Sequence, residues 1–132
     1  MNAQELSGFG FTGLVSVIPP DAPLSPASNI APSSRGKSPG MRYRTGLWGG
    51  YDWRSSDLSP AALDEMGASV GLRADQYPAV DIDITHEPLA QVVANVVERV
   101  LPTGPVRVGR WPKRLYMFRL DPGEMCFGRL QL

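Results

Sequence analysis

The chain has 132 residues, 42% of them apolar, which fits one domain with a modest core. Lys plus Arg is 13 and Asp plus Glu is 13, so the formal charge is zero, which rules out an arginine-rich arm or an acidic tail. One cysteine excludes an internal disulfide framework and a Cys-built zinc site, and no apolar run reaches the roughly 20 residues of a membrane span.

After a polar start, residues 14–18 form a β-branched run that predicts a short strand, stopped by Pro19 and Pro20. Residues 20–40 are rich in Pro, Ser, Ala, Asn and Gly, lack an apolar period and predict a long loop ending near Arg35 and Lys37. A loop of about 20 residues in a small domain is unusual, and the basic residues at its end favour a functional one. Residues 43–53 gather aromatics and Leu47 around Gly46, Gly49 and Gly50 and read as irregular. Ser59 followed by Pro60 is an N-cap signal, and Gly67 closes the short helix it opens. Residues 68–72 predict a short strand.

Residues 77–84 are the clearest strand: Val80, Ile82 and Ile84 alternate with Asp81 and Asp83. Pro88 then opens a helix over about residues 89–101, with Leu89, Val92, Val93, Val96, Val97 and Val100 as its apolar stripe. Residues 106–108 and 115–120 predict a hairpin joined by the basic turn Gly109-Arg-Trp-Pro-Lys-Arg114. Residues 125–132 predict a further strand, and no internal repeat is visible.

Three clusters carry chemistry. Asp81 and Asp83 fall on one strand face with Cα atoms roughly 7 Å apart. Two such carboxylates repel unless a cation lies between them, and hard divalent ions prefer oxygen ligands; the alternative is a solvated strand face. Arg107, Arg110, Lys113, Arg114 and Arg119 place five cations within 13 residues without an acid. They suit a triphosphate or a nucleic-acid backbone, with Trp111 available to stack on a base, or else a solvated basic tip. Arg35 and Lys37, then Arg42 and Arg44, form a flexible basic loop. Its Gly-Lys-Ser is not a phosphate loop of the Walker type, because position 31 is Ala where that spacing requires Gly.

The zero net charge is therefore a cancellation, net −4 over residues 1–90 and net +4 over residues 91–132. His86 is the only histidine, either a helper at a metal or phosphate or a polar surface residue. Cys126 reads as a small buried hydrophobe.

Taken in order, several segments resemble the N-terminal domain of bifunctional DNA primase/polymerases of phages and mobile elements, a branch of the archaeo-eukaryotic primase superfamily. They are Leu14-Val-Ser-Val-Ile-Pro-Pro-Asp-Ala-Pro-Leu-Ser25, Arg35-Gly-Lys-Ser-Pro-Gly40 and Trp48-Gly-Gly-Tyr-Asp-Trp53. The remainder are Gly67-Ala-Ser-Val-Gly-Leu-Arg73, Tyr77-Pro-Ala-Val-Asp-Ile-Asp83 and Val106-Arg-Val-Gly-Arg-Trp-Pro-Lys-Arg-Leu115.

The resemblance implies an α+β fold with an RNA-recognition-motif-like sheet, a single domain over 1–132 that acts on nucleoside triphosphates and a single-stranded DNA template. It implies Asp81 and Asp83 as catalytic ligands of Mg²⁺ or Mn²⁺. It implies phosphate contacts from Arg107, Arg110, Lys113, Arg114, Lys37 and Arg35, with cations standing where the family often has a His. The family's third acid has no clear counterpart, since only Asp121 and Glu124 follow Arg119. The domain therefore reads as shortened at its C-terminus. The expected setting is the cytoplasm of a bacterium or phage-infected host, with no membrane. The second expectation is a non-catalytic descendant that binds and inhibits a host nucleic-acid-handling defence complex.

Overall fold

A computed structural model describes residues 1–120 and Gly123. The element order is α1 (Ala3–Gly8), β1 (Val15–Val17), β2 (Met41–Arg42), β3 (Trp48–Gly49), α2 (Pro60–Met66), β4 (Ser69–Gly71), β5 (Ala79–Ile82), α3 (Glu87–Val100), β6 (Val106–Val108) and β7 (Arg114–Met117). This is a small α+β fold whose strands all pair antiparallel, as β1-β4, β2-β3 and β5-β7-β6. Its contacts separate two compact units, Met1–Arg73 and Ala74–Leu132. The predicted strand over residues 125–132, Cys126, Asp121 and Glu124 lie outside the described residues. Among the described residues no helix is long and apolar enough to cross a membrane.

In the first unit, Ile18, Ala22 and Trp48 form the core, with Leu24, Ile30, Met66 and Ala68 packed around them. The long loop is pinned rather than free-running. Ile18 N–H donates to the Ser38 carbonyl at 3.0 Å, Gly36 N–H to Ile18 at 2.7 Å and Gly40 N–H to Ser16 at 3.0 Å. Ser16 is fully buried and donates its hydroxyl to the Gly40 carbonyl. Gly40 is required there, because a Cβ at this position would collide with the Ile18 side chain.

The helix α2 follows its signals: Ser59 accepts from Ala62 N–H, Pro60 starts the first turn and Gly67 closes it at φ 69°. Two elements differ from the sequence expectation. A β2-β3 hairpin runs from Met41–Arg42, just before the segment read as irregular, to Trp48–Gly49 within it, and the polar start forms α1. The reason for α1 is a capping box, in which Asn2 accepts from Glu5 N–H while Glu5 accepts from Asn2 N–H. Asp64 of α2 completes it, accepting from Ala3 N–H at 2.7 Å and Gln4 N–H at 3.1 Å.

In the second unit, Ile82, Ala90, Ala94, Val97 and Tyr116 form the core, backed by Val80, Ile84, Val93, Leu101 and Phe118. Helix α3 lies on one face of the β5-β7-β6 sheet. The expected stripe needs correction. The helix buries Ala90, Ala94 and Val97, whereas Leu89, Val92, Val96 and Val100 are exposed. Small alanines allow the backbone to sit close to the sheet, so the packed face is the one with the smaller side chains. Of the expected stripe, Val97 is buried and Val93 packs against the core, so the helix is turned about its axis from the expected orientation rather than reversed.

Candidate functional site

The alternation of β5 decides which side chains meet. Ile82 is 2% exposed and packs under α3, so Asp81 turns to the opposite, open face of the sheet. Asp81 is paired with Leu115 on β7, and Leu115 with Arg107 on β6. Asp81, Leu115 and Arg107 thus form one row across the open face, spanning two strand spacings, roughly 10 Å. Both end residues of the row are exposed.

Asp83 lies just beyond β5 and continues the register to meet Lys113. The Lys113 ammonium sits 2.6 Å from Asp83 Oδ1. The side chains are 36% and 72% exposed, so the pair is well hydrated and its net contribution is small, about 0.2–1 kcal/mol. Asp81, Asp83, Lys113 and Arg107 therefore share a face, with the two acids along the β5 side and the cations across from them. Arg110 is exposed on the adjoining turn, which Lys113 N–H closes by donating to the Arg110 carbonyl at 3.0 Å and which contains a cis Trp111–Pro112 bond.

Arg114 goes elsewhere. It is 9% exposed on the α3 side, opposite Val108 and Ile82 in the ladder. Its Nη2 donates to Gln91 Oε1 at 3.2 Å, its Nε to the Pro112 carbonyl at 3.4 Å, and its guanidinium lies 4.6 Å from the Trp111 ring centroid. Those contacts occupy it in holding the turn to α3. Trp111 stays 54% exposed with its other surface open. His86 caps α3, its Nδ1 accepting from Leu89 N–H at 3.4 Å.

Arg35 and Lys37 belong to the first unit, at the end of the pinned loop. Lys37 is exposed, and Arg35 has its Nε buried without a hydrogen-bond partner among the described residues. In the same unit the structure adds a contact that sequence reading missed: Arg54 and Arg73 lie 4.4 and 5.7 Å from the Trp53 ring centroid. Arg54 adjoins Trp53 in sequence, but no local pattern links Arg73 to it.

On the covered face, burial and then the bond to Glu98 push the Tyr116 hydroxyl above its ordinary value. It donates to Glu98 Oε1 at 2.6 Å. Among the described residues no group of three or more His, Cys, Asp or Glu side chains is assembled for a metal. No protein family, curated protein or solved structure matches the chain.

Proposed function

We propose that the open face of β5-β7-β6 binds a nucleoside triphosphate together with Mg²⁺ or Mn²⁺, in a primase/polymerase-type nucleotidyltransferase domain that uses a single-stranded DNA template. The observation that carries this reading is the shared face: Lys113 meets Asp83, and Arg107 stands in one row with Asp81 across Leu115. A sheet covered by a helix on one side and open on the other also supports the finer fold reading, an RNA-recognition-motif-like platform.

The donor set suits a magnesium-like ion. Such an ion takes one or two carboxylates and fills the rest of its shell with water and substrate phosphates. Asp81 and Asp83 would hold it, and it would neutralise charge on the transferring phosphoryl group. The chain's own part is to position and to screen. Arg107 and Arg110 would donate to phosphate oxygens, with Arg107 suited to a two-pronged contact. Lys113 is held on Asp83 by a weak, hydrated pair, so an arriving phosphate can take its ammonium and leave the carboxylate to the ion. In the first unit, Arg35 and Lys37 supply a further cationic group suited to a nucleic-acid backbone.

Titration calorimetry of the full chain with ATP and Mn²⁺ tests the reading. Binding is expected, lost in Asp81→Asn and weakened in Arg107→Ala. Absence of heat from the folded chain, or equal binding by Asp81→Asn, would overturn it. Primer synthesis on single-stranded DNA tests the transfer step itself.

A further inference from the structure

Helix α3 carries more apolar surface than the sheet beneath it covers. Leu89, Val92, Val96 and Val100 recur on one stripe and are between 51% and 71% exposed. At about 100° per residue this stripe lies on the opposite side of the helix from Gln91 and Glu98. Those two side chains reach Arg114 and Tyr116 on β7. Leu89, Val96 and Val100 lie roughly 80–120° round from the buried Ala90, Ala94 and Val97, so they face the other flank, past β5, the outer strand of the order β5-β7-β6, while Val92 points away from the sheet.

The same strand has an open edge. Phe118 N–H donates to the Pro78 carbonyl and Leu120 N–H to Gln76, so even-numbered residues along this segment turn their backbone groups toward β7. Ala79 and Asp81 then turn their N–H and C=O groups outward, and among the described residues no strand pairs with them. An unpaired edge beneath an uncovered apolar stripe is a slot with the shape of one more strand.

We propose that this slot takes an extended segment of a partner protein as a fourth strand, in which apolar residues alternate with Lys or Arg. Its apolar side chains would lie under the α3 stripe, and its basic ones would fall on the open face beside Asp81 and Asp83. Backbone bonds to Ala79 and Asp81 supply affinity, and the alternation supplies specificity. The charge pattern selects this occupant over a second copy of the chain. Pairing β5 with itself gathers the Asp81 and Asp83 carboxylates of both copies along one ladder, and like charges across a ladder are destabilising. The proposal stands without the phosphate reading. The two share only Asp81 and Asp83, so metal displaces the segment if both hold.

The probe is a short, labelled synthetic peptide alternating Val and Lys, followed by fluorescence anisotropy and amide hydrogen exchange on the full chain. The controls are a peptide of the same composition with its valines in one block and a peptide alternating Val and Glu. The alternating Val/Lys peptide is expected to bind and to slow exchange at Ala79 and Asp81. Val96→Glu, on the exposed stripe, should weaken binding by at least about tenfold, because it leaves a carboxylate under an apolar strand. Asp81→Lys should weaken it by up to about fivefold and shift preference to the Val/Glu peptide. Equal binding of the block peptide, or unchanged exchange at Ala79 and Asp81, would sink the proposal. So would self-association of the chain that Val96→Glu abolishes, since a second copy would then be the occupant.

Discussion

Arg107 and Arg114 belong to one hairpin, yet the ladder sends them to opposite faces, and their variants should behave oppositely. Arg114→Ala removes two hydrogen bonds and a ring contact from a nearly buried site. Urea denaturation should show a loss of about 1.5–3 kcal/mol. Arg107→Ala touches only the open face and should stay within about 0.5 kcal/mol of wild type. Equal costs would mean that the face assignment of β7 is wrong.

Asp64 offers a test in pH. The Ala3 amide bond, helped by Gln4 and opposed by desolvation, holds its carboxyl below the ordinary value. A folded value lower than the unfolded one means the docking of α1 is fully present above the ordinary carboxylate range. It is lost as pH falls through the lowered one. Protection of the α1 amides, taken relative to the intrinsic exchange rate at each pH, should therefore fall in acid, and Asp64→Asn should flatten that dependence. Identical acid limbs for the two proteins would contradict the contact.

Among the elements, α2 was legible because its signals are local: a Ser cap, a Pro in the first turn and a Gly beyond the end need no partner to act. The existence of α3 was legible for the same reason, from Pro88 and the apolar period. Its orientation was not. Val93 and Val97 of the apolar stripe do face the sheet, but Leu89, Val92, Val96 and Val100 are larger than Ala90 and Ala94, so hydrophobicity alone rotates the helix away from its packed face. Which face packs depends on how closely the backbone can approach Ile82 and Tyr116.

The consequence is measurable by thermal or urea unfolding. Ala94→Leu should cost about 1–3 kcal/mol by overpacking, whereas Val92→Lys should stay within about 0.5 kcal/mol. The reverse order would restore the bulky stripe as the core face. Strand β5 was read with its alternation intact, since a period of two is written in the residues themselves. The β2-β3 hairpin escaped because its strands are two residues each and carry no period.

Over the whole molecule, zero net charge provides no long-range attraction for a polyanion, so any such binding must come from local cations. A single-stranded oligonucleotide held by Arg107, Arg110 and Lys113 should lose affinity with salt at a slope of about −2 in log–log form. Arg107→Ala should reduce that slope by about 0.7. Fluorescence anisotropy across a salt series reads both, and a slope near zero would count against phosphate contact.

The sequence by itself determined the α+β class, the capped α2, the Asp81/Asp83 alternation and the concentration of cations in the second hairpin. Each is a property of neighbours along the chain. Only the tertiary structure decided that Arg107 and Lys113 join the two acids while Arg114 does not, and that Lys113 already rests on Asp83. It also decided that α3 leaves an apolar stripe exposed beside an edge of β5 that, among the described residues, no strand covers. Those outcomes depend on ladder register and on which helix face reaches the sheet. Both are set by packing between segments far apart in sequence, where local patterns carry no information.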